Sequence, residues 1–260
     1  MENVLTVSHI QAPSEGLATG SDDASKPLVT AVMITGLHDA RYALARVSIE
    51  CFKNQTYPNK ELLIVNHGNQ SLFCDDERIV ELRVKKRDQD TVGDLRNLGL
   101  RHASGDFIIN WDDDDWFHPQ RIEVQMNARQ SGSAVLLLNR LHYSFQNNCA
   151  FYRNIPHGAA ATILHPRTES FRYPSLIRGS DAKFAKNFRR ILIDNDPALY
   201  IRFFHGLNLW DAKHIMGSLA APGVQDKFEI SPEHQRLLQE VLLLYRDWKP
   251  QLRLDSIPLP

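Results

Sequence analysis

Cysteine is scarce in this chain of 260 residues: only Cys51, Cys74 and Cys149 are present, and no two are spaced as CxxC. An odd, scattered set argues against a disulfide framework and against a cysteine-built zinc site. It fits a reducing compartment, so a cytoplasmic location is expected. An excess of either charge is also missing, with 30 Lys and Arg against 31 Asp and Glu. General attraction to nucleic acid is therefore not implied. No apolar run approaches the ~20 residues of a membrane-spanning helix. Residues 1–27 lack the basic start and apolar core of a secretory leader. They are rich in Ser, Ala, Gly and Asp, and are expected to form a flexible tail. There is no internal repeat, and no Gly-rich basic loop follows the first apolar run.

What the chain does have is an unusual concentration of acid. Asp106–Pro119 opens as an apolar, β-type run and ends in four consecutive carboxylates, Asp112 to Asp115. Adjacent like charges persist in a compact fold only if solvent, hydrogen-bond donors or a cation absorb them. Carboxylate oxygens suit hard cations such as Mg²⁺ or Mn²⁺. A solvated acidic turn is the plainer alternative.

The preceding segments alternate between two periods. Leu28–Ile34 predicts a first core strand. A helix from about Ala40 to Lys53 follows, with Tyr42, Ala45, Ile49 and Phe52 on one face. Glu61–Asn66 and Ile79–Val84 predict two more strands. Thr91 with Asp94 predicts a capping box for a helix to about Ala103. Phe107–Trp111 is the next strand, and Pro119 starts another helix. This alternation predicts an α/β fold with a parallel sheet covered on both faces. Ligands of such sheets collect at the carboxyl ends of strands, where the aspartates fall. The second half is less regular. Ala134–Leu138, Cys149–Arg153, Ala160–Leu164 and Leu199–Phe204 read as strands, and Gly179–Arg190 as a short helix. Ser231–Trp248 reads as a capped helix with a stripe of Leu237, Val241, Leu244 and Trp248.

Residues 28–210 resemble the family-2 glycosyltransferases, whose fold is called GT-A: a Rossmann-like nucleotide-binding βαβ half with a mixed central sheet in an α/β/α sandwich. The resemblance rests on Leu28–Thr35, the turn Asn54–Pro58, Gly93-Asp94-Leu95-Arg96-Asn97-Leu98-Gly99, and Gly105–Ile108 leading into Asp112–Asp115 and Pro119. It implies a GT-A domain over 28–220, divided into a nucleotide-sugar half (28–118) and an acceptor half (119–220). Residues 221–260 would be a helical extension.

The resemblance implies a metal-dependent, inverting transfer of a sugar from a nucleotide-diphosphate-sugar to a saccharide or glycolipid hydroxyl, with Mn²⁺ or Mg²⁺ as cofactor. Surface polysaccharide or glycoconjugate synthesis, with peripheral membrane association, is compatible with it. Thr35, His67, Arg96, Asp112 and Asp113 are the candidate donor-binding residues. Asp114 and His205 are the candidate metal ligands, and Asp181 is the candidate base. Asp112 and Asp114, as alternate residues of an extended segment, can share a face. Asp113 and Asp115 can instead cap the helix after Pro119. Trp116, beside the aspartates, is a candidate to stack on a sugar.

Two departures stand out. Asn66-His67-Gly68-Asn69 occupies the place of the family's Asp-Asp-Gly-Ser, where an Asp reads the base. Ser180 replaces the Glu that usually precedes the base. A non-catalytic nucleotide-sugar-binding protein is therefore the alternative class. A nucleotidyltransferase is disfavoured by the missing phosphate loop. Alanine at Asp114 is expected to abolish transfer and leave the fold intact.

Overall fold

The computed structural model describes residues 4–7, 26–36, 38–85, 87, 90–209, 225–227 and 230–246. In chain order the strands are β1 (Val4–Val7), β2 (Val29–Thr35), β3 (Lys60–Asn66), β4 (Ile79–Arg83), β5 (Phe107–Asp112), β6 (Trp116–Phe117), β7 (Ser133–Leu137), β8 (Asn139–Ser144), β9 (Cys149–Asn154), β10 (Leu164–Pro166), β11 (Arg189–Ile193), β12 (Tyr200–Phe204) and β13 (Gln225–Lys227). The helices are α1 (Arg41–Lys53), α2 (Val92–His102), α3 (Arg121–Asn127), α4 (Ser180–Ala185) and α5 (Pro232–Leu244).

Eight strands form the main sheet in the order β1-β11-β7-β10-β5-β2-β3-β4. β2, β3, β4 and β5 run parallel, whereas β10 is antiparallel to both β5 and β7. The sheet is thus mixed, as expected. β2 and β3 read as near-continuous apolar runs because both faces are covered. A second sheet, β13-β9-β8-β12-β6, carries the later strands.

Local chemistry sets the helix that flanks the site. Thr91 accepts from the Asp94 amide, and the Asp94 carboxylate accepts from the Thr91 amide, so the expected capping box is complete. Two glycines let α2 pack tightly. A Cβ on Gly93 would lie 2.0 Å from the Pro174 carbonyl oxygen, and one on Gly99 would lie 2.4 Å from Val32.

Several expectations are corrected. Ala160–Thr162 is a 3₁₀ turn, and the strand begins at Leu164. α4 stops at Ala185, and Arg189–Arg190 open strand β11. Two arginines at the head of an apolar run hid that strand. β8 was missed because Asn139, Arg140 and His142 sit in it, all buried. Within the expected tail, Val4–Val7 pairs in parallel with β11 as an edge strand. In α5, Ser231 caps as expected, by accepting from the His234 amide. Its buried stripe is Leu238, Val241 and Tyr245; Leu244 is exposed, and Trp248 lies outside the described residues. Tyr245 packs against Phe203 at 4.6 Å, which docks α5 behind β12.

Candidate active site

The four aspartates lie where the chain leaves one sheet for the other. Asp112 is the last residue of β5, beside Ile34 of β2 in register, and Trp116 opens β6. The carboxylates share partners: Arg41 holds both Asp113 and Asp114, and the Tyr200 hydroxyl donates to both Asp112 and Asp115. Asp112, half-buried, faces Arg96 of α2 at 3.6 Å. Asp113 pairs with Arg41, the first residue of α1. Asp114 Oδ2 receives three donors: Arg41 Nη2 at 2.8 Å, His205 Nε2 at 2.9 Å and Asn208 Nδ2 at 3.2 Å. Asp115 accepts from the Tyr200 hydroxyl and from the Phe203 amide. Neither Asp113 nor Asp115 caps α3; its N-cap residue Gln120 makes no side-chain cap, and Gln55 instead accepts from the Ile122 amide.

Burial separates the four in acidity. It pushes Asp113 up to about 7 against the pull of Arg41, and Asp115 up to about 8 with help from the Asp114 charge. Asp112 is raised for the same reason. Asp114 is the exception: burial opposes its charge, but Arg41 and the His205 hydrogen bond outweigh burial and hold it well below the carboxylate range. Asp114 is thus the carboxylate that stays ionised.

Two adjoining cavities open on this cluster. One, of about 190 Å³, is lined by Thr35, Arg41, His67, Arg96, Asp112 and Asp113 among others. The other, of about 110 Å³, is lined by Arg41, Arg96, Asp112, Asp114, Asp181 and Arg202 among others. Asp112 and Asp114 do share one cavity, as their alternation predicts. Asp181, half-buried on the first turn of α4, lines the same space, and its Oδ1 accepts from the next amide, Ala182. Ser180, which stands where a Glu was expected, accepts from Arg96 Nη1 at 3.0 Å. Arg96 also lies over the Tyr173 ring at 5.5 Å. It therefore links α2, α4 and the aspartates, and is not paired with Asp94 or Asp90. Asp94 serves the capping box, and Asp90 takes Arg87.

The base-reading position is differently used. Asn66 is fully buried. Its amide donates to the Gln70 carbonyl and to Glu81, and its oxygen accepts from the Tyr42 hydroxyl and the Gly68 amide. All of its hydrogen-bonding capacity goes into the turn. That turn is tight: a Cβ on Gly36, at φ +101°, would lie 2.2 Å from the Gly68 nitrogen. His67, next along, donates its amide to the Thr35 carbonyl and faces the larger cavity. Trp116 lines neither cavity: it is buried in the core through β6.

Sequence reasoning missed Arg41, Arg202, Asn208 and Tyr200. Arg41 carries no local signal; it reads as an ordinary helix residue. Tyr200 and Arg202 had one available clue, since alternate residues of β12 must face the same way.

Among the described residues no three His, Cys, Asp or Glu side chains group as a closed metal cage. A hard cation shared with a diphosphate needs only one or two protein carboxylates. Asp112 and Asp114, lining one cavity, meet that requirement. His205 is buried, and its pKa is lowered by burial, so the ring is neutral. The Leu207 amide donates to its Nδ1 at 3.2 Å, which leaves Nε2 as the protonated nitrogen donating to Asp114.

Residues 38–186 match the sequence model of glycosyl transferase family 2. An uncharacterized glycosyltransferase of Haemophilus influenzae is 29% identical over 184 residues, covering 68% of this chain and 66% of that protein. An uncharacterized glycosyltransferase of Rickettsia bellii is 29% identical over 105 residues, covering 38% of this chain but only 14% of that protein. Among solved structures, S. aureus TarS 1–349 in complex with UDP-GlcNAc superposes with a TM-score of 0.53 at 12% identity, covering 84% of this chain and 66% of that one. No helix among the described residues is long and apolar enough to cross a membrane.

Proposed function

The chain belongs to glycosyl transferase family 2 and has the GT-A fold, and from that premise we propose that it is a glycosyltransferase carrying out an inverting transfer from a nucleotide-diphosphate-sugar to an acceptor hydroxyl in the cavity between Asp114 and Asp181. The observation that carries this reading is that one cavity is lined by Asp112 and Asp114, by four arginines (Arg41, Arg96, Arg178 and Arg202) and by the separate carboxylate of Asp181.

In this reading Thr35, His67 and Asp113 line the nucleoside side of the donor site. Arg41, Arg96 and Arg202 face the diphosphate. Their fixed charge and forked donors suit phosphate oxygens and the charge that grows there as the glycosidic bond breaks. Asp112 and Asp114 would hold Mn²⁺ or Mg²⁺, which would add charge stabilisation on the leaving diphosphate. His205 and Asn208 orient Asp114 by hydrogen bonds to its Oδ2. Coordination by His205 Nε2 would require its proton to move to Nδ1, at the expense of the Leu207 bond. Orienting Asp114 is therefore the role we assign it. Asp181 takes the proton from the acceptor hydroxyl as that oxygen attacks the anomeric carbon on the face opposite the diphosphate. Ser180 and Arg96 fix the start of α4, and so fix Asp181 relative to Asp112.

A saccharide or glycolipid is the proposed acceptor, and a cytoplasmic or membrane-peripheral setting the proposed location. TarS is solved with UDP-GlcNAc, which makes UDP the first nucleotide to test. A thermal-shift panel of nucleoside diphosphates, with and without Mn²⁺, is the decisive measurement. Stabilisation by one nucleotide in the presence of Mn²⁺, followed by its release from the matching sugar donor, is expected. No shift with any nucleotide would refute the donor site.

A further inference from the structure

Arg41 does not have the surroundings of an ordinary surface arginine. It is 7% exposed, and its Nη2 bridges Asp113 and Asp114, lying 2.8 Å from Asp114 Oδ2. Its Nε is buried without a hydrogen-bond partner, so the guanidinium keeps a spare donor. It lines both cavities. It is also the first residue of α1, entered from Ala40 with no side-chain cap. Arg96 and Arg202 stand nearby, with Arg202 facing the same carboxylates. The aspartates therefore already have three fixed positive charges around them. A free divalent cation arriving at Asp114 would meet a neutralised carboxylate and a repelling guanidinium. A dication arriving together with a dianionic diphosphate brings no net charge, and the diphosphate offers Arg41 a new partner of the geometry that guanidinium groups prefer.

We propose that Arg41 is an internal counter-cation of the donor site: without donor it holds Asp113 and Asp114 and keeps free metal ions off them, and on donor binding it passes from Asp114 to the diphosphate as the divalent cation takes Asp114. This rests on the reading of the cavity as a diphosphate site. Metal and nucleotide then bind as a coupled pair, each weak alone, and Arg41 sets the strength of that coupling.

The test is direct titration of Mn²⁺, followed by its electron-spin resonance signal and by thermal shift, on the full chain, Arg41→Gln and Arg41→Lys, with and without UDP or whichever diphosphate the panel selects. Arg101→Gln, in a surface hollow away from the aspartates, is the control. For the unaltered chain, Mn²⁺ alone binds weakly and the diphosphate tightens it. In Arg41→Gln, Mn²⁺ alone binds at least about ten-fold tighter, the diphosphate binds more weakly in its presence, and the coupling between them shrinks. If Arg41→Gln folds only when Mn²⁺ is supplied, the ion has replaced the missing charge, and the proposal is supported. If Arg41→Gln does not fold under either condition, Arg41→Lys decides: its compact ammonium lacks the planar fork and holds the two carboxylates less firmly, so Mn²⁺ alone must bind it more tightly than the unaltered chain. Equal Mn²⁺ affinity in the unaltered chain and the folded variants overturns the proposal and leaves the donor site standing. Absence of any diphosphate binding with Mn²⁺ in the unaltered chain overturns both.

Discussion

Removing the Asp114 carboxylate tests the centre of the site in two ways at once. Asp114 is 8% exposed, and its Oδ2 is the meeting point of Arg41, His205 and Asn208. A unit charge pair at the 2.8 Å spacing to Arg41 attracts by about 6 kcal/mol at an effective dielectric constant near 20. Without the Asp114 charge that helps raise it, Asp113 ionises more readily on the same guanidinium, so an attraction roughly half as large remains for Arg41 after the substitution. Loss of an acceptor for the buried His205 nitrogen adds about 1–3 kcal/mol. Asp114→Ala therefore costs about 4–6 kcal/mol, near the range for breaking a buried ion pair from one side. Asp114→Asn keeps an oxygen for His205 and Asn208 but loses the same charge, and costs about 3 kcal/mol. At about 2–4 °C per kcal/mol for a chain of this size, the alanine variant unfolds roughly 8–24 °C lower and the asparagine variant roughly 6–12 °C lower. The structure thus revises the expectation that alanine here leaves the fold untouched; asparagine is the cleaner probe. Thermal unfolding without metal measures the first effect. Release of nucleoside diphosphate, expected to fall by about 10²–10³-fold in both variants, measures the second. An alanine variant that melts with the unaltered chain would refute the electrostatic account, and an asparagine variant that still transfers sugar would refute the site.

Asp181→Asn is expected to lower kcat by about 10²–10⁴-fold with donor affinity and melting temperature unchanged, because Asp181 is half-buried and its hydrogen bond is to its own neighbour's amide; equal loss of donor binding would point to a structural role. Gly93→Ala should destabilise by about 1–3 kcal/mol, since its Cβ would strike the Pro174 carbonyl at 2.0 Å; an unchanged denaturation midpoint would show that the segment yields freely. The pair His234–Asp196, at 2.9 Å, ties α5 to the turn before β12. Hydrogen bonding to Asp196 raises His234, and hydrogen bonding to His234 lowers Asp196. The contribution of Asp196 is present above the ordinary carboxylate range, and that of His234 is present below the ordinary histidine range and fades as pH rises through its raised value. Between roughly pH 4 and 6.5 the unaltered chain should exceed His234→Ala in stability by a small margin, because Asp196 is largely exposed. A margin that instead widens toward pH 8 would contradict the pairing.

Much of the first half was legible because its signals are local. The apolar runs of β2, β3 and β5, the Thr91–Asp94 box and the strand-end position of the aspartates depend only on near neighbours in sequence. The partners of those aspartates do not. Nothing adjacent to Arg41 or Tyr200 marks them, since their roles come from residues far along the chain. In the second half β7, β9 and β12 were as legible, and β8 and β11 were missed for a related reason. β8 and β11 contain buried or paired arginines, asparagine and histidine, so hydropathy reads them as loop, while tertiary partners make them strand. Arg121 illustrates the point: it is wholly buried against the rings of Trp111, Phe117 and Tyr200 at 4.4–5.2 Å, yet its sequence position suggests an exposed helix start.

The crossing of the chain at Asp112–Asp115 also dictates an order of assembly. Asp113 reaches back 72 residues to Arg41, whereas Asp114 and Asp115 reach forward 91 and 85 residues to His205 and Tyr200. Contacts between residues so far apart close late in folding. On the ribosome, β2 to β5 can pair long before β12 exists, and during that interval Asp114 and Asp115 have no forward partners. A nascent chain arrested before residue 200 should therefore show a protease-resistant first half that does not retain nucleotide, and the ability to bind donor should appear in one step as β12 emerges and docks.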